Sequence, residues 1–156
     1  MRMAVYRPFR LEDREVATRL ITDVYREALN RDVSKYVREE LARFLSEFDR
    51  SRDLFLVAEE AGTLVGTVII DHSNPSEGVC NMSFLAVITD HRGKGHGREL
   101  VNQGLEFARL AGYKSVELTV TPEFDFAMKM YERMGFKQVD TYLWQGSNVM
   151  TMERWL

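Results

Sequence analysis

The segment Arg92-Gly93-Lys94-Gly95-His96-Gly97 constrains this chain most, because three glycines and two cations within six residues join a strand-like stretch to a helix-like one. Glycines at alternate positions remove the Cβ atoms that hold a backbone away from a ligand. The helix that follows aims its unpaired N–H groups and positive dipole end at the same spot. The segment therefore reads as a strand–turn–helix unit with an anion cradle at its centre. On the strand side, Cys80, Met82 and Phe84 alternate with Asn81 and Ser83 and then merge into an apolar run from Phe84 to Ile88. Val79 to Ile88 is thus expected to be a strand that passes from an edge into the interior. On the helix side, Leu100, Val101, Gly104, Leu105, Ala108 and Ala111 form a helical stripe opposite Arg98, Asn102, Gln103, Glu106 and Arg109, with Gly112 as the stop.

Two nucleotide loops are excluded by what surrounds the glycines. A nucleotide-hydrolase loop needs Lys-Ser or Lys-Thr after its last glycine, whereas Gly97 is followed by Arg98-Glu99 and no hydroxyl is present for magnesium. A dinucleotide fingerprint needs a third glycine in the first strand-to-helix turn, and here Glu99 stands in its place, in mid-chain.

The rest of the chain alternates elements without a linker or repeat. Ala4 to Phe9 reads as a strand. A helix capped by Asp13 carries Val16, Leu20, Val24 and Ala28 on one face, and a second helix after Asp32 carries Val33, Val37, Leu41, Phe44 and Phe48. Leu54 to Glu60 and Thr63 to Asp71 read as a hairpin through Ala61-Gly62, with Gly66 as the candidate bulge. Ser115 to Thr121 is a strand, a helix starts near Phe124, and two strands close the chain at about Phe136 to Leu143 and Asn148 to Trp155. The order β-α-α-β-β-β-α-β-α-β-β predicts an α/β (α+β) fold, a mixed sheet of about seven strands with helices on both faces.

Composition narrows the function. With 156 residues, one domain spanning 1–156 is expected. Lys plus Arg number 21 against 24 Asp plus Glu, a net charge of −3 without a basic tract, which gives nucleic-acid binding little electrostatic support. No apolar run suits a membrane span and no leader precedes the first strand, so a cytoplasmic location is expected. The single Cys80 offers neither an internal disulfide nor a metal cluster. His91 and His96 have no metal-ligand spacing and read as solvated or phosphate-adjacent imidazoles; no metal is expected, and His72 has no assigned role.

What remains of the glycine segment, Arg-x-x-Gly-x-Gly preceded by Leu85-Ala86-Val87-Ile88-Thr89-Asp90-His91, resembles the acyl-CoA pyrophosphate loop of the GCN5-related N-acetyltransferases (GNAT superfamily). A second motif supports the likeness, because Ala127, Met130, Tyr131 and Met134 form a stripe that stops at Gly135-Phe136, as in that family's Ala-x-x-x-Tyr-x-x-x-Gly-Phe element. The element order is also the family's, so the resemblance covers the whole chain. It implies acetyl-CoA as co-substrate, with its pyrophosphate on the backbone of Arg92, Gly93, Lys94, Gly95, His96 and Gly97, together with Arg98. It implies that Leu85, Ala86 and Val87 line a pantetheine arm lying between splayed strands, Val79 to Ile88 and Ser115 to Thr121. Gly95 and Gly97 would leave room for the phosphates, and a backbone N–H near Val87 would meet the developing oxyanion.

The same resemblance makes Tyr131 the acid toward the coenzyme sulfur. The family's usual base positions align with Asn81 and Thr119, neither of which takes a proton. Glu117, on the same strand face as Thr119, is then the side-chain candidate, with water relayed by Asn81 or Ser83 as the alternative. Phe124 replaces an asparagine that bonds pantetheine in relatives, and Asp125 is offset from it by one. Tyr25, Tyr36, Tyr142, Trp144 and Asn148 are candidates for an acceptor groove. The expected activity is acetyl transfer to a primary amine of a small molecule or peptide; an acyl-CoA-binding sensor without turnover is the alternative. Homodimerisation is left open.

Overall fold

The computed structural model describes residues 4–156. Its elements are β1 (Ala4–Pro8), a 3₁₀ turn (Leu11–Asp13), α1 (Arg14–Leu29), α2 (Ser34–Ser46), β2 (Leu54–Glu60), β3 (Thr63–Asp71), β4 (Val79–Val87), α3 (His96–Leu110), β5 (Ser115–Val120), α4 (Asp125–Arg133), β6 (Lys137–Trp144) and β7 (Ser147–Trp155). The order expected from sequence is met. The strands form one sheet, β1-β2-β3-β4-β5-β7-β6, in which only β4 and β5 pair in parallel. Two clusters of buried side chains lie on its opposite faces. One joins α3 (Leu100, Val101, Leu105, Ala108) and α4 (Tyr131) to the sheet, and the other joins α1 (Ala17, Leu20, Ile21, Val24) and α2 (Val37, Leu41, Phe44) to it. Among the described residues, no helix is long and apolar enough to cross a membrane.

Turn chemistry sets the hairpins. Ala61 and Gly62 both have positive φ, and Glu60 pairs with Thr63, giving a two-residue connection of the primed kind that matches strand twist. Gln145 and Gly146 repeat this between β6 and β7. Beside Gly66 the β2–β3 register skips Val65, as expected of a bulge, and a Cβ on Gly66 would stand 2.9 Å from Leu100 Cδ1. Glycine there lets α3 lie close on the sheet.

Three expectations need correction. Val16 is exposed, because Ala17 takes its place in the buried stripe of α1, alongside the expected Leu20 and Val24 and with Ile21 added. Asp13 does not cap α1 with its side chain; its carboxylate accepts from Arg10 N–H (2.8 Å) and from both terminal nitrogens of Arg7 (2.8 and 3.0 Å). Phe48 lies beyond α2, packed edge-on against Phe44 with centroids 5.5 Å apart.

The feature that positions the site is a second bulge, in β4. Thr67 pairs with Ala86 and Ile69 with Ser83, so β4 carries an extra residue between these pairs. Phe84 sits there with φ +48°, a left-handed conformation that a bulky residue rarely adopts. The insertion inverts the strand's facing: Cys80 and Met82 pack under α3, whereas Phe84 and Ala86 pack under α1 and α2. The buried Thr67 hydroxyl donates to the Phe84 carbonyl at 2.8 Å and pins the distortion. Replacing Thr67 with the isosteric Val leaves that carbonyl unsatisfied, and we expect a loss of about 1–3 kcal/mol in urea unfolding, most of it recovered by Thr67→Ser.

Candidate active site

β4 and β5 pair over only three residues each, from Val79↔Ser115 to Asn81↔Glu117. Beyond that the strands part. β5 is held on its other side by six pairings with β7, so it cannot follow β4 across the bulge. From this gap opens a cavity of about 700 Å³. Its walls come from β4 (Ser83, Leu85), β5 (Thr119), α4 (Ala127, Tyr131), α1 and α2 (Tyr25, Tyr36, Arg43), and the β6–β7 hairpin (Tyr142, Trp144).

At the C-terminal end of β4 the glycine segment leads into α3. Gly93 and Gly95 have φ of +78° and +86°, and among the described residues no atom lies within 4 Å of where their Cβ atoms would be, so both are required by conformation and leave room beside the backbone. Gly97 differs: its backbone is ordinary, and a Cβ there would touch Met130 Sδ and Val87 Cγ2, each at 3.8 Å. The first intrahelical bond of α3 runs from Glu99 N–H to Gly95 O (3.0 Å). The N–H groups of His96, Gly97 and Arg98 therefore have no carbonyl within the helix, and those of Gly93, Lys94 and Gly95 make no backbone hydrogen bond among the described residues. This run of free donors at a helix start is an anion nest.

The two cations are partly engaged. Arg92 Nε donates to the Val87 carbonyl at 2.9 Å, and Lys94 Nζ stands 3.5 Å from Glu60 Oε1. His96 is buried, with 6% of its surface exposed, so the expectation of a solvated imidazole is corrected for it. Its Nε2 pairs with Glu60 Oε2 at 3.1 Å and its Nδ1 with the Tyr6 hydroxyl at 2.9 Å. His91 Nδ1 also bonds Glu60 Oε2. His91 directly precedes the cradle and His96 lies within it at the first residue of α3, so one carboxylate from the end of β2 holds the segment at both places. No local pattern marks Glu60, which lies 31 and 36 residues away from the two histidines. The donor atoms of Glu60, His91 and His96 lie within 4.8 Å of one another, a ligand set on distance alone. Lys94 already faces the same carboxylate and supplies a balancing charge.

Tyr131 lies on the cavity wall with its ring against Phe136, centroids 5.5 Å apart. Burial raises its pKa, so the phenol is protonated at neutral pH. Its hydroxyl makes no hydrogen bond among the described residues. Burial likewise raises Tyr25 and Tyr36, and pushes the Cys80 thiol up to about 12, which removes it as a nucleophile. Leu85 lines the cavity, Val87 abuts Gly97, and Ala86 is turned toward the other face and pairs with Thr67. Glu117 is not on the cavity wall. It sits between Asn81 and Glu153 where the strands are still paired, so its position does not support the base role, whereas Thr119, past the parting, does line the cavity. Of the expected acceptor-groove residues, Tyr25, Tyr36, Tyr142 and Trp144 line the cavity; Asn148 does not, since strand alternation gives the wall to Ser147 and Val149. Phe124 lines it too, its ring 5.1 Å from that of Tyr25.

A mixed sheet split beside a glycine cradle, with a chamber opening from the split, defines an acyl-CoA N-acyltransferase fold. The family model "Acetyltransferase (GNAT) family" matches residues 17–136, and the chain belongs to that family. N-acetyltransferase family 8 member 2 of Rattus norvegicus is 33% identical over 114 residues, covering 70% of this chain and 50% of the relative. The chain spans about half the length of the curated relatives that head the comparison. Among solved structures, a GNAT-family acetyltransferase of Staphylococcus aureus Mu50 superposes with a TM-score of 0.86 at 14% identity, covering 99% of both chains. The PaiA N-acetyltransferase of Thermoplasma acidophilum, in complex with coenzyme A, does so with 0.77 at 17% identity and the same coverage. At these identities the likeness concerns the fold.

Glu60 offers a measurement of the loop's anchoring. Its hydrogen bond from His91, followed by those from His96 and the charge of Lys94, lowers its pKa from 4.5 to about 2 against the opposing effect of desolvation. A carboxylate with a depressed folded-state pKa stabilises the fold above the unfolded value, and that contribution is lost as pH falls through the folded one. We expect the melting temperature to drop between pH about 4.5 and about 2, and Glu60→Gln to flatten the profile in that window while lowering stability at neutral pH. A parallel profile in the variant would show that the hub does not hold the loop.

Proposed function

We propose that the chain is an acetyl-CoA-dependent N-acetyltransferase, moving acetyl from coenzyme A to a primary amine of a small molecule or peptide by direct attack in a ternary complex. The observation that carries this reading is the continuity of the β4–β5 gap with a chamber of about 700 Å³ whose wall includes Tyr131. One reactant reaches the split from the cradle and the other from the chamber. An acyl-CoA sensor would need the cradle but no acceptor chamber.

The residues fit acetyl-CoA. The pyrophosphate is taken by the free N–H groups from Gly93 to Arg98, with the open space above Gly93 and Gly95 admitting it. Arg92 and Lys94 add positive charge beside it. The pantetheine arm follows the main chain of Leu85, Ala86 and Val87, and Arg92 yields the Val87 carbonyl when the arm takes that bond. Acyl transfer then needs donors for the oxyanion and a proton for the departing thiolate. A backbone N–H near Val87 serves the first. Tyr131 serves the second, because burial keeps its phenol protonated and no described side chain competes for its hydroxyl. Direct attack needs no acyl-enzyme, in keeping with the inert Cys80.

Incubation with acetyl-CoA and a panel of amines, read by mass, tests the activity. Tyr131→Phe is expected to lower kcat by about 10²-fold or more while leaving acetyl-CoA affinity within about twofold; an unchanged kcat removes Tyr131 from the chemistry. Gly95→Glu combines an unfavourable φ with a negative charge in the nest and is expected to abolish acetyl-CoA binding by calorimetry. Retained binding would place the phosphates elsewhere.

A further inference from the structure

Four carboxylates line the cavity, and three of them have partners. Asp32 accepts the Ser34 N–H at 2.9 Å, Glu39 is 3.8 Å from Lys35 Nζ, and Glu40 is 3.1 Å from Arg43 Nη2. Asp71, the last residue of β3, is different. It is only 6% exposed, has no cation within 4.0 Å among the described residues, and receives its hydrogen bonds on one oxygen, from the N–H and hydroxyl of Ser73 on Oδ1. Its other oxygen, Oδ2, has no hydrogen-bond partner among the described residues. Arg43, which feels the charge of Asp71, gives its hydrogen bonds to Glu40 and, at 3.2 Å, to Glu47. It does not bond to Asp71, so the carboxylate keeps an unused acceptor oxygen for a donor that arrives with the ligand.

The placement is suited to the reaction. Asp71 pairs with Asn81 across the β3–β4 ladder, and Ile69 with Ser83, so Asp71 shares the sheet face on which Ser83 lines the cavity. Ser73 bridges the two strands: its hydroxyl donates to Asp71 and accepts from Asn81 Nδ2 at 3.0 Å. The carboxylate missing from the aligned base position at Asn81 is thus present one strand away, hydrogen-bonded to it through one hydroxyl. The aromatic rings of Tyr25, Tyr36 and Phe84 line the same chamber, with Tyr25 and Phe84 edge to face at 5.6 Å, and ring faces favour a cationic guest.

We propose that Asp71 is the acceptor-site carboxylate: it binds the substrate's primary ammonium and takes its proton before attack. This rests on the acetyltransferase reading and names the substrate class as amines that enter protonated. The ammonium gives one proton to Asp71; the neutral nitrogen then attacks the thioester carbonyl carbon. As the C–S bond breaks, the thiolate leaves with a proton from Tyr131, which regains one from the nitrogen. Asp71 returns its own proton to water through the open chamber. The products are the amide and free coenzyme A, with one proton released.

The test compares wild type, Asp71→Asn and Asp71→Glu, using spermidine, phenethylamine and a tripeptide with a free N-terminus as acceptors. Calorimetry with desulfo-CoA present is expected to show the best acceptor binding at least 30-fold more weakly to Asp71→Asn, with part of the affinity restored in Asp71→Glu and coenzyme binding unchanged in both. In turnover, kcat/KM is expected to fall by at least 100-fold in Asp71→Asn and to recover in part in Asp71→Glu. Equal amine affinity in wild type and Asp71→Asn overturns the proposal, as does the absence of amine binding to wild type. Failure of the acetyltransferase reading looks different: amine binds in an Asp71-dependent manner but no acetylated product forms.

Discussion

The site depends on the parting of β4 from β5. A parallel pair in mid-sheet would ordinarily continue its ladder, and here it stops after three pairings because one strand bulges at Phe84 while the other stays registered with β7. The main-chain groups of β4 beyond Asn81 that face away from β3 then need partners, and a buried backbone without them is unfavourable. An extended ligand with alternating amide donors and acceptors would satisfy them, and under the proposed function the pantetheine arm is that ligand. The same bulge turns Phe84 toward Tyr25 and Tyr36, with centroids 5.6 and 6.3 Å away, and so builds the aromatic side of the chamber. Strain at φ +48° is held by long-range contacts, the Thr67 hydroxyl beneath and the α1–α2 rings above.

How far this was legible in the sequence follows from the range of each interaction. The glycine cradle, the Ala61-Gly62 hairpin, the bulge beside Gly66 and the α3 stripe are written in neighbouring residues, and local periodicity recovers them. The β4 bulge is not. Cys80, Met82 and Phe84 alternate as though on one face, and only the register against β3 shows that Phe84 faces the other way. Asp13 looked like a cap because acidic residues before a helix usually are, yet Arg7 on β1 competes for the same carboxylate and holds it. Glu117 shares a strand face with Thr119, but face is not depth: the strands close over one position and open at the next. Asp71 and Glu60, at the ends of two strands, carry no local signature.

These last two carboxylates also show how the molecule divides its electrostatics. Both are nearly buried, at 6% and 7% exposure, yet Glu60 is surrounded by His91, His96 and Lys94 whereas Asp71 has a single serine. At the cradle, Glu60 absorbs part of the positive charge of the loop, which leaves backbone N–H groups as the main attraction for an anion. That balance favours a ligand able to contact many donors at once over a free ion. Under the proposed function a polyanionic acyl donor is drawn to the cradle and a cationic amine to the chamber. The net charge of −3 conceals this separation, since the functional unit is the position of two carboxylates relative to the split in the sheet.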